Sequence, residues 1–505
     1  MKINWTTIRY IYGHLLILLS LVLAMATGVA VYYRFRCGED DWQGFLVATL
    51  VTLALGVMSV MSSRHHRRSL SVREGFLVVA MAWVLFSLLG MIPYLVDGTF
   101  GSITDAFMET MAGFTTTGCT TLTDIDSLPH GILFWRCVTQ WLGGLGIIVF
   151  SMSLLPMLGI GGTQMYGAET SGLGVDKLRP TIAATARRLW GIYIFFTALC
   201  ALCYWLCGMG GFDAVCHALS TLASGGFSTH QASIGYFHSP LIEYVCIIFM
   251  FITGINYGLF YLAVVGKWKH FWKDEEFRVY CFVIVGATAL FMLLEYLTRD
   301  GYFMAEGAGE TVALADGSFA ATLRTMLFHA TSMVSSTGFQ AESFDYQAWG
   351  SVFWIPTLLL MVMGGCASST SGGLKVVRFV LMFKNARNEF IQQLEPRSYT
   401  SVRLNGRTVM SEVVYQVMAL VLTYVMLLVV SIFFLQLIGL SFDTAIGTSI
   451  SAFGNTGPAL GSTGPAFTWA GIPDIGKWYL CLCMLIGRLE IFTVVLLFTP
   501  MFWKR

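Results

Sequence analysis

The chain has 505 residues and a formal net charge of +1, with 56% hydrophobic and only 12% charged residues and a mean hydropathy of +0.70. Soluble domains carry roughly 45–50% apolar residues, so a soluble globular protein is excluded. No basic patch is interleaved with aromatics, so no nucleic-acid partner is expected.

Apolar stretches recur along the whole chain with short polar breaks, which predicts one continuous all-α membrane bundle in contact with lipid and no separate soluble domain. Lys2 and Arg9 precede an apolar run with Ala24, Met25 and Ala26 placed like a cleavage site. The run from Leu15 to Tyr33 is about 19 residues, however, long enough to span and longer than a signal's apolar core. Spans are expected near Ile11 to Tyr33 and Trp42 to Met61, followed by four pairs. These are Phe76 to Val96 with Ile132 to Leu158, Leu189 to Cys207 with Leu241 to Val265, Tyr280 to Leu297 with Val352 to Gly364, and Val413 to Leu440 with Trp478 to Phe502.

Charge placement orients the bundle. With both termini in the cytoplasm, Lys2, Arg9, Arg64, Arg67, Arg68, Lys177, Arg179, Lys267, Lys269, Lys273, Lys375, Arg378, Lys384, Arg387, Lys504 and Arg505 all fall inside, as the positive-inside rule requires. Arg34, Arg36, Arg136, Arg299, Arg324 and Lys477 are left outside or at the outer rim. They face a larger acidic set, Asp97, Asp124, Asp126, Asp300, Glu306, Glu310, Asp316, Glu342, Asp345 and Asp474, which would concentrate cations at an entrance or serve as ordinary solvated loop charge.

Most of the 12 cysteines, including Cys246, Cys281, Cys481 and Cys483, lie in apolar runs and read as buried thiols. Cys200, Cys203 and Cys207 share a helix face, which leaves a soft-metal site as the sharper alternative.

Within each pair lies a segment too long for a tight turn and too polar for a full span: Thr110 to Thr120, Ser220 to Ser228, Ser332 to Gln340, and Ser449 to Gly461. They superpose on one glycine each. The aligned tetrads are Thr116-Thr117-Gly118-Cys119, Ser224-Gly225-Gly226-Phe227, Ser336-Thr337-Gly338-Phe339 and Asn455-Thr456-Gly457-Pro458. The anchors are about 108, 112 and 119 residues apart, an internal repeat rather than chance glycines.

Six positions before each anchor stand Ala112, Ser220, Ser332 and Ser451, small enough for close helix packing. Nine positions before stand Glu109, His217, His329 and Thr448, read as a hydrogen-bonding strut behind each loop, with ligation of a metal by the two histidines as the sharper alternative. The expected organisation is a two-helix unit at 1–70 and four repeats at 71–165, 166–266, 267–390 and 391–505. Two full spans per repeat make successive repeats parallel, which gives a pseudo-fourfold axis along the membrane normal. Non-helical backbone survives at membrane depth only where protein or water surrounds it, so the four loops belong together on that axis.

Glycine admits backbone angles that let a carbonyl point inward. Four such loops would make rings of oxygens able to replace the hydration shell of a monovalent cation, with helix C-termini aimed at the same axis. Thr116, Thr117, Ser224, Ser336, Thr337, Asn455 and Thr456 fit either a polar wall of that filter or plain loop hydrogen bonding. No nucleophile-base pair, phosphate cradle or clustered acid-base set is present, so an enzyme is not expected.

The segments GFTTTGCT, STLASGGFSTH, SMVSSTGF and SAFGNTGPALG, with QWLGGLGIIVF at Gln140 to Phe150, GINYGLFY at Gly254 to Tyr261 and GRLEIF at Gly487 to Phe492, resemble the Trk/Ktr/HKT superfamily. The extra N-terminal pair is similar to its bacterial TrkH branch, and the resemblance covers essentially the whole chain. It implies potassium uptake in the inner membrane with K+ at the four tetrads and no cofactor. It also implies a homodimer with one pore per subunit, controlled by a cytosolic TrkA-type nucleotide-binding ring. Retention of glycine at Gly118, rather than serine, implies potassium over sodium.

In the third repeat the second span is interrupted by Gly364, Gly365, Cys366, Ala367, Ser368, Ser369, Thr370, Ser371, Gly372 and Gly373, ahead of Lys375. Such a run cannot stay a lipid-facing helix. The resemblance makes it a gating loop beneath the filter; a plain cytoplasmic loop is the alternative. Arg488 is an ionisable group inside a span, where exposure to lipid is costly. The resemblance makes it part of a constriction, and a structural ion pair with a neighbouring helix is the other reading. The competing function is an ion-coupled secondary transporter, proton or sodium symport by alternating access, whose usual inverted repeat is not seen.

Overall fold

A computed structural model describes residues 3–63, 71–153, 182–299, 318–341, 346–347, 349–398 and 401–504. Of the charges expected at the two faces, Lys2, Arg64, Arg67, Arg68, Lys177, Arg179, Arg505, Asp300, Glu306, Glu310, Asp316, Glu342 and Asp345 lie outside the described residues, as does the 165/166 boundary.

Among the described residues, six helices are long and apolar enough to cross a membrane: Trp5–Cys37, Trp42–Met61, Arg73–Val96, Arg187–Leu206, Glu275–Thr298 and Ser411–Leu437. The first two form the N-terminal pair; the other four open the repeats. Each is followed by a short helix: Ile103–Phe114, Gly211–Ala223, Phe319–Val334 and Phe442–Gly454. The short helices start at Ser102, Gly210, Ser318 and Ser441, and of these Ser318 accepts from the free N–H of Ala321 with its side chain. They end at the glycine turns.

The second helix of repeat 1, His130–Ser153, is continuous over its described length. The sequence led us to expect continuous second spans in repeats 2 and 4 as well, and there the structure differs. Pro240–Thr253 bends by 92° into Tyr257–Val264, and Asp474–Arg488 bends by 118° into Phe492–Phe498. In repeat 3 the interruption separates Trp354–Met363 from Val376–Leu394, a helix that runs past the expected 390 boundary.

The physical reason is that the breaks satisfy one another. Gly254 O accepts from Cys366 N at 2.8 Å, Tyr257 N donates to Ser368 O at 3.2 Å, and Asn256 Oδ1 caps Gly258 N at 2.8 Å. In repeat 4, Glu490 and Ile491 adopt positive φ of 56° and 51°, and the Glu490 carboxylate pairs with Arg378, just after the repeat 3 interruption. In repeat 2 the backbone released from the helix is bonded by the irregular backbone of repeat 3, and in repeat 4 it bonds within its own turn, which is how such segments persist away from water.

The repeats close into a ring. The second helix of repeat 1 packs on the short helix of repeat 2, that of repeat 2 on the short helix of repeat 3, that of repeat 3 on repeat 4, and that of repeat 4 back on repeat 1. This is an all-α membrane architecture of four repeats in pseudo-fourfold order around one axis, with the N-terminal pair packed against repeat 1.

Candidate functional site

Each short helix ends in the same turn. The N–H one residue before the anchor donates to the carbonyl six residues before it, in all four repeats: Thr117 to Ala112 (2.8 Å), Gly225 to Ser220 (3.0 Å), Thr337 to Ser332 (3.0 Å) and Thr456 to Ser451 (3.1 Å). The residue two before the anchor is left-handed every time, with φ of 52° at Thr116, 54° at Ser224, 53° at Ser336 and 51° at Asn455. The anchors follow with φ of 76° at Gly118, 81° at Gly226, 75° at Gly338 and 100° at Gly457. Left-handed backbone at a β-branched threonine costs free energy and persists only where surroundings over-determine it. The repeat is therefore a repeat of backbone angles as well as of residues.

The anchors also meet. A Cβ built on Gly118 would collide with the carbonyl oxygen of Gly225, one on Gly226 with that of Thr337, and one on Gly338 with that of Thr456. On Gly457 the nearest atom would be Thr117 O at 2.7 Å. The chain of contacts runs from repeat 1 through 2, 3 and 4 and back to 1, so four carbonyls of the residues before the anchors ring one centre. On the outer side the four glycines, with Cys119, Phe227 and Pro458, line a single cleft. The short helices all direct their C-terminal, partly negative ends at this ring.

The struts differ by repeat. Glu109, fully buried, accepts from Thr120 Oγ1 at 3.0 Å, Thr121 N at 3.0 Å and Arg136 Nε at 2.9 Å. His217 Nε2 and Ser228 Oγ are 2.9 Å apart. Both therefore brace the chain just beyond the anchor, as the spacing suggested. His329 reaches sideways to Thr357 Oγ1 at 2.9 Å, and Thr448 bonds back to Thr444 O of its own helix at 2.6 Å. The histidines are thus engaged in hydrogen bonds, and no cluster of three or more metal-ligating side chains occurs among the described residues.

The polar side chains of the tetrads differ in their surroundings. Thr116 Oγ1 and Thr456 Oγ1 are buried with no protein partner among the described residues. Thr117 Oγ1 pairs with Thr115 Oγ1 (2.8 Å) and Thr337 Oγ1 with Ser335 Oγ (2.8 Å), while Asn455 Nδ2 donates to Thr117 Oγ1 (3.0 Å) and Met484 O (2.9 Å). Ser224 and Ser336 point down into the interrupted segment of repeat 3: Ser224 Oγ is 2.9 Å from Thr370 Oγ1, and Gly372 N donates to Ser336 Oγ at 2.5 Å.

That segment lies directly under the turns. Gly364 and Gly373 fold against each other at φ of 68° and 72°, and Ser368 and Lys375 are also left-handed at 56° and 73°. Gly365 N donates to Ser371 Oγ at 3.1 Å, Ser369 Oγ bonds Ser371 Oγ at 2.6 Å, and Lys375 Nζ donates to Ser371 O. Arg488, buried, reaches across to donate to Thr370 O at 2.8 Å and to Gly143 O of repeat 1 at 3.2 Å. It does not pair with Glu490, whose partner is Arg378, so the ion-pair alternative held for Arg488 is replaced by a bridge between two carbonyls.

Three of the cations expected outside or at the outer rim have carboxylate partners. Arg136 is buried against Glu109 and donates to Ser228 O at 3.0 Å, Arg324 pairs with Glu243 of repeat 2 at 2.6 Å, and Lys477 pairs with Asp105 of repeat 1 at 2.6 Å. They tie repeats together, and Arg136 also lines the cleft at the anchor glycines. An arginine and a glutamine four residues apart in an apolar span, Arg136 and Gln140, were the available sign that this helix carries a polar stripe.

Four parallel two-span repeats, with inward turns of carbonyls at their common centre, define a polytopic membrane transport protein rather than an enzyme. The chain belongs to the TrkH family: the family model described as "TrkH: Cation transport protein" matches residues 42–505. It is similar to the Trk system potassium uptake protein TrkH of Salmonella typhimurium, at 38% identity over 99% of this chain and 100% of that protein. It is also similar to the TrkH of Halomonas elongata, at 36% identity over 97% and 98%. The crystal structure of the potassium transporter TrkH from Vibrio parahaemolyticus matches with a TM-score of 0.88 and 34% identity, covering 99% of this chain and 100% of that one.

Proposed function

We propose that this protein takes up potassium across the bacterial inner membrane through the ring of four glycine turns. The observation that carries the reading is the cyclic approach of each anchor to the carbonyl of the next repeat. Oxygens so arranged can exchange for the water around a monovalent cation, and helix ends aimed at the same centre favour positive charge. The family and its potassium-uptake relatives support K+ as the cargo. In this reading Thr116 through Cys119, Ser224 through Phe227, Ser336 through Phe339 and Asn455 through Pro458 form the filter.

The segment Gly364 to Gly373, with Lys375, is the gate. Its hydrogen bonds to Ser224 and Ser336 support this reading, as does the cationic Arg488 bridging Thr370 O and Gly143 O. A fixed positive charge opposes a passing cation. Both termini face the cytoplasm, two copies assemble, and a TrkA-type ring acts on the gate from the cytoplasmic side.

The test is flux into liposomes holding the purified protein, with potassium or sodium gradients and with or without the cytosolic partner. Potassium currents beyond the turnover of an alternating-access carrier are expected. Flux strictly coupled to protons at carrier rates would overturn the pore.

A further inference from the structure

The four turns are alike in backbone and unlike in what holds them. In repeats 1 and 3 the residue before the anchor is a threonine, and its hydroxyl bonds a hydroxyl two residues earlier. Repeat 4 also has a threonine there, Thr456, and its anchor N–H is held by Ser451 Oγ at 3.0 Å. Repeat 2 has Ala223 and Gly225 at the two positions, so it carries neither hydroxyl. Two consecutive glycines, Gly225 and Gly226, leave the peptide between them freer to rotate than its three counterparts.

A side chain from another repeat fills the place. Gln140, fully buried on the second helix of repeat 1, donates from Nε2 to Gly225 O at 2.7 Å and accepts at Oε1 from Phe227 N at 3.1 Å. It spans the Gly225–Gly226 peptide and the next one as a two-point clamp. A Cβ on Gly225 would run into the Gln140 amide itself, so glycine at 225 and glutamine at 140 fit only as a pair. One helical turn earlier, Arg136 Nη1 holds Ser228 O, and its guanidinium lies 4.3 Å above the Phe227 ring. Gly225 O is the repeat 2 member of the carbonyl ring, the oxygen that Gly118 faces.

We propose that Gln140 is a specificity-determining residue of the ring: by fixing the Gly225 carbonyl it keeps the fourth oxygen in place, and without it the pore loses discrimination between potassium and sodium. This rests on the reading of the ring as the filter. The other three carbonyls of that ring belong to threonines, and among the described residues only the repeat 2 carbonyl oxygen accepts a hydrogen bond from a side chain of another repeat. Gln140→Glu keeps shape and the acceptor for Phe227 N but removes the donor and sets a carboxylate oxygen against Gly225 O. Gln140→Leu removes both contacts.

The experiment measures reversal potentials under potassium, rubidium and sodium for the full chain in planar bilayers, with thermal melting in detergent to confirm folding. Losing one such hydrogen bond is expected to lower the potassium-to-sodium permeability ratio by about threefold to tenfold in Gln140→Leu, and by at least as much in Gln140→Glu. A purely structural role would lower the melting temperature or the number of active pores and leave the ratio untouched. Gly118→Ser separates the two levels of inference. A ratio altered by Gly118→Ser but unchanged in folded Gln140→Glu overturns the assignment of Gln140 alone; a ratio unchanged in all three variants overturns the filter as well.

Discussion

The ring of turns and the layer immediately beneath it are built from the same four repeats, yet the first keeps their symmetry and the second abandons it. At the ring, left-handed angles recur within a few degrees at Thr116, Ser224, Ser336 and Asn455. Beneath it, the second helix of repeat 1 is continuous, those of repeats 2 and 4 bend by 92° and 118°, and that of repeat 3 opens into a loop. Coordinating an ion from all sides requires equivalent oxygens, so variation there is costly. A barrier needs only one obstruction, and in the proposed reading the loop of repeat 3 with Arg488 is that obstruction, held by its bonds to the neighbouring breaks.

If the turns are equivalent, one substitution should do the same damage in each. Gly118→Ala, Gly226→Ala and Gly338→Ala each place a Cβ on a left-handed residue and into a neighbouring carbonyl. All three should lower the potassium-to-sodium permeability ratio and destabilise the protein by more than the roughly 1–2 kcal/mol of the backbone angle alone. An unchanged ratio in any one of them, measured in liposomes, would break the equivalence. The supports behind the ring are not equivalent, and Arg136→Leu tests that. It leaves the Glu109 carboxylate buried without its cation, at a cost of about 3–5 kcal/mol, read as a lowered denaturation midpoint in detergent. His329→Leu, which removes a neutral contact to Thr357, should cost visibly less.

In the lower layer, Arg488→Ala removes the bridge from Thr370 O to Gly143 O and should raise resting rubidium leak several-fold with an unchanged potassium-to-sodium ratio. Shortening Gly364 to Gly373 should do likewise; a changed ratio without leak would exchange the roles of the two layers.

The smallest effect is expected farthest from both layers. Asp41, in the turn between the two N-terminal helices, has a carboxyl pushed up from 3.8 to about 6, chiefly by burial and then by the nearby charges of Asp97 and Glu39. A folded-state pKa above the unfolded one means the folded protein binds more protons in between, so stability falls as pH rises from 3.8 to about 6. Asp41→Asn should flatten that part of the pH-stability profile; an unchanged slope would show that the carboxyl is not the source.

The four turns were legible because each rests on residues with few substitutes: a glycine where φ is positive, and a small residue six positions before it whose carbonyl closes the turn. The interruption in repeat 3 announced itself by its four glycines and its run of hydroxyls. The bends in repeats 2 and 4 did not. Gly254 alone is ordinary in a membrane helix, and Leu489, Glu490 and Ile491 contain neither glycine nor proline. What bends them is the backbone and charge offered by the segment around Cys366, Ser368 and Arg378. Arg136, Arg324 and Lys477 were visible as charges near span ends, whereas their partners Glu109, Glu243 and Asp105 were not.

Local physics therefore determined the spans, the short helices and the backbone of each turn, since these depend on hydropathy, caps and Cβ sterics within a few residues. Which repeat sits beside which, the closure of repeat 4 onto repeat 1, the clamp of Gln140 on Gly225 and the bridge from Arg488 were decided only by tertiary packing. They join residues far apart in the chain, and a hydrogen bond exists only once the whole bundle has set its two ends within reach.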